Sequence, residues 1–285
     1  MFPSSFDYVA AHSVDEAVAA KAAGGDDARI LAGGQSLLPM MKQRLAAPAQ
    51  LVDINRVPGI ETLHRDNGRL TVGALVRHAQ LARSDLTFGA IASAAPWISD
   101  PHVRNLGTLC GSVAHCDPEG DWNTVLLATG AEVVAQGPNG VRTIPITSWI
   151  VDVFTNALQP DEIVTGVHIP VPSGRSGGSY QKLERKVGDY ATVGVAIHLE
   201  LDDAGVIARA GLALTAVTPV NTKVTAAEQA LVGNPPSDEL FAEASELTAQ
   251  ASEPRDDVRG SSEWKRNVVK VFTRRGLVAA AAQAN

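Results

Sequence analysis

The most regular hydrophobic pattern lies in the last third of the chain. Val193, Val195, Ile197, Leu199 and Leu201 alternate with smaller or polar residues, which predicts a half-buried strand. Asp202-Asp203-Ala204-Gly205 then turns the chain into a second apolar run over 206–217. With the stretch around Lys182 ahead of them, these predict three strands, followed by helices over 224–232, 238–251 and 263–282.

The N-terminal stretch reads α-β-α-β. Ser13-Val14-Asp15-Glu16 is a capping-box pattern and opens an alanine-rich helix that stops at Gly24-Gly25. Short strands at 30–32 and 51–54 flank a helix over 36–45. The middle of the chain is mixed, with a strand at 70–72 and helices over 74–83, 88–98 and 122–129. Strands at 131–135 and 141–146 surround Gly137-Pro138-Asn139-Gly140, a hairpin signal, and a strand follows over 162–170. The Pro- and Gly-rich stretch 170–178 marks a domain boundary. This gives an α+β fold with units 1–177 (subdivided near 57) and 178–285, and no internal repeat.

Composition narrows the function classes. With 285 residues, 45% apolar and 19% charged, the chain suits two globular domains with a real core. A net charge of −7 argues against nucleic acid as a partner, because phosphate backbones need a basic footprint. No apolar run approaches the ~18 residues of a membrane span. The N-terminus lacks the basic and apolar regions of a signal peptide. Cys110 and Cys116 are the only cysteines, too few for a disulfide framework and consistent with a reducing cytoplasm. They are also too few to hold an iron–sulfur cluster by thiolates alone, so any such cluster belongs to another chain.

Two glycine-rich stretches carry the candidate chemistry. The first, Ala32-Gly33-Gly34-Gln35-Ser36-Leu37, joins a strand to a helix; Gln35 and Ser36 can donate to phosphate oxygens. It matches neither GxGxxG nor GxxxxGK[ST]. The second runs from Arg104 to Trp122, with the Thr108 and Ser112 hydroxyls, Gly107 and Gly111, and the acids Asp117, Glu119 and Asp121. Bare glycine N–H groups form anion nests, and an acidic side chain accepts bonds from a sugar hydroxyl. Gly33, Gly34 and Gly111 are expected to approach a diphosphate held from two sides. Plain turns, a Ser36 helix cap and an Asp121 helix cap are the competing readings. His115, Cys116, Cys110 and Asp117 do not make a metal-ligand spacing.

AGGQSL, RNLGTLCGSVAHCDP and YQKLERKVGDYATVGVAI resemble, in order and spacing, the FAD-binding medium subunits of molybdenum hydroxylases, such as aerobic carbon monoxide dehydrogenase and the xanthine dehydrogenase type. The resemblance covers essentially the whole chain. It implies a two-part FAD-binding domain of the vanillyl-alcohol-oxidase (PCMH) type, then a C-terminal domain of a three-stranded antiparallel sheet with helices. It implies FAD held by Ala32, Gly33, Gly34, Gln35, Ser36, Leu37, Thr108, Cys110, Gly111, Ser112 and Asp121. Lys182 would balance charge at the pyrimidine end of the isoalloxazine, and Tyr190 would stack on it. No residue of this chain need act as a general acid or base on the substrate, so no catalytic residue is assigned. Two positions depart from the family pattern: Gln35 stands where many carbon monoxide dehydrogenases have His, and Cys110 replaces a glycine. A reactive Cys110 thiol beside a flavin is the corresponding alternative.

The resemblance further implies partners: a molybdopterin-binding large subunit and a small subunit with [2Fe–2S] clusters, assembled as a dimer of heterotrimers. Electrons would pass to an external acceptor such as a quinone, oxygen or NAD. The expected location is cytoplasmic, peripheral attachment at the inner face of the membrane being the variant. The rival readings are a self-contained flavin reductase or oxidase of the same fold, and a nucleotide-binding module without turnover.

Overall fold

The computed structural model describes residues 2–285. It opens with β1 (Asp7–Ala10), α1 (Val14–Gly24), β2 (Ala28–Leu31), α2 (Leu37–Lys42) and β3 (Gln50–Asp53), the three strands forming a parallel sheet in the order β1-β3-β2. The capping box at the start of α1 closes reciprocally. Ser13 Oγ accepts from Glu16 N at 3.1 Å, and Glu16 Oε2 accepts from His12 N at 2.7 Å. The strand β1 was absent from the sequence reading because its DYVA run is largely exposed and is held by parallel pairing to β3, 43 residues away at Asp7–Gln50.

The second unit contains β4 (Leu63–Asp66), β5 (Arg69–Gly73), α3 (His78–Arg83), α4 (Gly89–Ala94), α5 (Pro101–Leu106), α6 (Leu109–His115) and α7 (Asp121–Thr129). It continues with β6 (Glu132–Gly137), β7 (Gly140–Pro145), the short pair β8 (Ile150–Asp152) and β9 (Thr155–Asn156), and β10 (Ile163–Pro170). Its antiparallel sheet has the order β4-β5-β10-β6-β7, with β6 and β7 joined at the expected hairpin. The predicted helices over 74–83 and 88–98 are shorter than expected. Residues 74–76 are a buried turn in which Val76 N donates to the Gly73 carbonyl at 3.1 Å, and 95–97 tighten into a 3₁₀ turn at Pro96. The second glycine stretch is more helical than its composition suggests. Asp100 and Thr108 cap α5 and α6 by accepting from Val103 N and Gly111 N.

The last unit comprises β11 (Ser176–Leu183), β12 (Val193–Leu201), β13 (Ile207–Thr215), β14 (Thr222–Lys223), α8 (Thr225–Leu231), α9 (Asp238–Gln250) and α10 (Ser262–Ala284). Its antiparallel sheet is four-stranded, β11-β12-β13-β14, so the three-stranded expectation missed a two-residue edge strand. The half-buried reading of β12 is also corrected, because eight of its nine residues are buried. Its large alternate residues join a core with α8, α9 and α10. The small residues between them face α4 and α7, so they are small to admit a helix rather than to meet water. Gly211 on β13 shows the same constraint, since a Cβ there would stand 1.8 Å from the Ala128 carbonyl oxygen of α7. Thus α7 lies between the second unit and the last, and it places Asp121 at their junction.

Candidate functional site

A cleft of about 1000 Å³, at the upper end of ordinary ligand-site volumes, runs between the first and second units and reaches this junction at one end. Its wall includes residues of 32–37, of 107–115 and of 188–190, together with Asp121 and Lys182. All the sequence-selected positions, Ala32, Gly33, Gly34, Gln35, Ser36, Leu37, Thr108, Cys110, Gly111, Ser112, Asp121, Lys182 and Tyr190, therefore line one cavity.

The first loop leaves donors free. Among the described residues, no acceptor meets the backbone N–H groups of Gly34, Gln35 and Ser36. Ser36 does not cap α2 by its side chain, so its hydroxyl is free as well. Gln35 folds back, its Nε2 donating to the Gly33 carbonyl at 3.3 Å. Buried backbone donors are ordinarily paired, so consecutive unpaired N–H groups on a cleft wall form a site for an anion.

The glycines are required first by the protein itself. A Cβ on Gly33 would stand 2.3 Å from the Leu106 carbonyl oxygen and 2.7 Å from Gly107 Cα, so the two loops touch backbone to backbone at this residue. Gly34 has φ of +71°, where a side chain is disfavoured. Gly111 lies in the first turn of α6, and its Cβ position is 2.8 Å from the Thr108 Oγ1 that caps it.

Cys110 contributes backbone rather than thiol. Its Sγ lies 3.6 Å from the Val72 and Gly73 carbonyl oxygens, 2% exposed, and burial pushes its pKa up to about 12. A thiol held this far from ionisation is inert, which corrects the reactive-cysteine alternative. Cys116, in a left-handed conformation at the end of α6, is also buried and raised to about 11.

Asp121 is the hub of a buried charge cluster. It is the first residue of α7, and Gly120 occupies the cap position, so Asp121 is not the helix cap. Its Oδ1 accepts from the Tyr180 hydroxyl and its Oδ2 from Lys182 Nζ at 3.1 Å. Lys182, its side chain 1% exposed, also lies 3.5 Å from Glu184 Oε2 and donates to the Trp97 carbonyl at 3.2 Å. Burial raises the Asp121 pKa against the opposing pull of Lys182, and burial with the Asp121 charge raises that of Tyr180 well above its usual value. Sequence reading missed Tyr180 and Glu184. The available signal was the strand period, since Tyr180, Lys182 and Glu184 are spaced by two and share one side of the chain.

His78 was also missed. Its Nδ1 accepts from Trp122 Nε1 at 3.0 Å, its backbone N donates to the Gly107 carbonyl, and its ring fills the space beside Gly107. Burial, then the nearby charges of Arg104 and Arg77, depress its pKa to about 3, so the ring is neutral. Tyr190 sits at the rim with 46% of its surface exposed, and burial and the carboxylate of Asp117 raise its hydroxyl pKa. Among the described residues, no group of three His, Cys, Asp or Glu side chains converges as a metal site; His115 and Asp117 meet only at 3.9 Å.

Residues 4–172 match the FAD-binding domain in molybdopterin dehydrogenase, and residues 178–280 match the CO dehydrogenase flavoprotein C-terminal domain. The chain belongs to the FAD-binding flavoprotein subunits of molybdenum hydroxylases. It is 37% identical to the 6-hydroxypseudooxynicotine dehydrogenase complex subunit alpha of Paenarthrobacter nicotinovorans, over 98% of this chain and 96% of that one. It is 35% identical to the carbon monoxide dehydrogenase medium chain of Hydrogenophaga pseudoflava, over 98% of both. A solved structure of carbon monoxide dehydrogenase from Hydrogenophaga pseudoflava superposes with a TM-score of 0.95 at 37% identity, covering 99% of each chain. The chain is thus an oxidoreductase component with an FAD-binding domain, as the three sequence motifs implied. No helix among the described residues is long and apolar enough to cross a membrane.

Proposed function

We propose that the chain is the electron-transfer subunit of a heterotrimeric molybdenum hydroxylase of the carbon monoxide dehydrogenase kind. It receives electrons from [2Fe–2S] clusters of a small subunit, while substrate is oxidised on a molybdopterin-binding large subunit. It passes them to an external quinone, oxygen or NAD, and the complex is a dimer of heterotrimers. The observation that carries this reading is the one cleft shared by both glycine loops, Asp121, Lys182 and Tyr190, in a chain whose whole length follows the flavoprotein family.

The residues present fit FAD. Bound there, the cofactor supplies one- and two-electron redox chemistry, and the protein supplies binding, orientation and electrostatics. The free N–H groups of 34–36 and the Ser36 hydroxyl hold the diphosphate from one side. On the other, where the Leu109, Gly111 and Ser112 N–H groups are already engaged, the Cys110 N–H and the Ser112 hydroxyl face it. Asp121 has each oxygen engaged by Tyr180 or Lys182, which fixes its orientation and leaves a lone pair on each for a ribityl or ribose hydroxyl. Lys182 balances carboxylates at this end of the cleft, and the Tyr190 ring walls its rim against water.

The two curated relatives are named for different substrates, 6-hydroxypseudooxynicotine and carbon monoxide, at nearly equal identity. That supports a role in collecting electrons that is shared across substrates. Two free, buried cysteines fit a reducing cytoplasmic setting, with the inner membrane face as the place of contact when a quinone is the acceptor. Native mass spectrometry with metal analysis, on the complex purified from its host, tests the reading. It should return this chain with a larger molybdenum-carrying chain and a smaller iron–sulfur chain. A lone chain that oxidises substrate without molybdenum would contradict it.

A further inference from the structure

The two glycine loops come from different units of the chain, and a side-chain relay ties them together from outside the cleft. Asn55, just beyond β3, uses its carboxamide in two directions. Its Nδ2 donates to the Ala32 carbonyl at 2.8 Å, at the entry to the first loop, and its Oδ1 accepts from Arg77 Nη2 at 2.7 Å. Arg77, just ahead of α3, donates through Nη1 to the Leu106 carbonyl. That oxygen is the one lying 2.3 Å from the Cβ position of Gly33. The guanidinium therefore holds the second loop at the point where the first loop touches it.

Both ends of the relay are fixed. Asp53 Oδ1 accepts from Asn55 N at 2.8 Å and from Asn55 Nδ2 at 2.6 Å, while its Oδ2 accepts from the Tyr8 hydroxyl at 2.6 Å. On the other side, Arg77 forms an antiparallel bridge with Thr108, through His78 N to Gly107 O at 3.0 Å and Leu109 N to Val76 O at 3.4 Å. None of Tyr8, Asp53, Asn55 or Arg77 lines the cleft. Their influence on a ligand there runs through the loops.

We propose that Arg77 and Asn55 are positioning residues, forming a strut that sets the gap between the two glycine loops and thereby the affinity for FAD. The inference rests on the cofactor site proposed above. Arginine suits this place because its planar fork serves two acceptors in a fixed geometry, which a lysine ammonium cannot reproduce. The carboxamide suits the other end because it donates and accepts at once.

The full-length chain, stripped of cofactor, is titrated with FAD by the quenching of flavin fluorescence. Wild type is compared with Arg77→Ala, Arg77→Lys, Asn55→Ala and the Arg77→Ala/Asn55→Ala double variant, and the melting of each cofactor-free chain is recorded alongside. Each alanine variant should bind FAD about tenfold more weakly, because each breaks the charge-assisted hydrogen bond between Arg77 and Asn55 on which the strut depends. The double variant should lose no more than either single, lysine should not restore affinity, and cofactor-free melting should stay near wild type. Wild-type affinity in Asn55→Ala, which lies on the exposed side of the relay and carries the test even where Arg77→Ala misfolds, would overturn the strut. So would losses that multiply in the double variant, or losses matched by a general fall in melting temperature. A wild-type chain that takes up no FAD would overturn the cofactor site and the strut together, whereas tight wild-type binding with indifferent variants removes the strut alone.

Discussion

The neutral His78 ring is the most quantitative consequence of this arrangement. In the folded chain burial and two arginines hold its pKa near 3, whereas an unfolded histidine titrates near 6.5. Between those values the unfolded state binds more protons than the folded one. Its contribution is complete above about pH 6.5 and is lost as pH falls toward 3. Integrated from pH 7 to pH 5, the loss amounts to about 2 kcal/mol, or about 3 °C in melting temperature. The comparison is with His78→Asn, whose side-chain oxygen can still accept from Trp122 Nε1 but cannot be protonated. Melting of the cofactor-free chains is followed by near-ultraviolet circular dichroism at pH 7, 6 and 5. Other titrating groups are common to both chains, so the difference in slope isolates position 78. The wild type should lose stability faster than the variant. Because the ring stays neutral in the folded chain until pH falls toward 3, position 78 should leave the FAD affinity of the folded chain unchanged between pH 7 and pH 5. Parallel slopes for the two chains would refute a ring held neutral by burial.

Three further outcomes follow from the site. Gly33→Ala pushes a methyl into the Leu106 carbonyl; it should cost about 1–3 kcal/mol and release flavin while far-ultraviolet circular dichroism stays native, and full flavin occupancy would tell against the contact between loops. Lys182→Met leaves Asp121 and Glu184 buried without their cation. It should lower unfolding free energy by about 3–5 kcal/mol in denaturant titration, with partial recovery on adding Asp121→Asn; a neutral effect would mean the cluster is not ionised. Cys110 and Cys116 should resist iodoacetamide at pH 8 in the folded chain and react once it is unfolded, as mass spectrometry will show, because burial raises both thiols to about 12 and about 11.

Local patterns exposed much of the architecture. The capping box at Ser13, the Gly137–Gly140 hairpin and the helices of the last unit stand where residue periodicity put them. What escaped was set by distant partners. The exposed β1 exists through its pairing with β3, and β14 is two residues held at the edge of β13. The stretch from Arg104 to Trp122 reads as glycine turns, yet side-chain caps at Asp100 and Thr108 make residues 101–106 and 109–115 helical. The role of glycine was also inverted in part. Gly33 reads as room for a ligand, while its nearest constraint is the Leu106 carbonyl, contributed by a loop more than seventy residues later in the chain. Tyr180 and Glu184 lie inside the third motif and His78 outside all three; their roles appear because folding brings them to Asp121, Lys182 and Gly107.

The central claim is that both glycine loops grip one FAD, and its most direct measurement is the flavin content of the purified full-length chain. Flavin released by denaturation is identified by chromatography and counted against protein. The account predicts one FAD per chain, with Gly33→Ala and Gly111→Val each depleted of it while still folded. Flavin present as FMN alone, no flavin after incubation with excess FAD, or full occupancy in both glycine variants would contradict it.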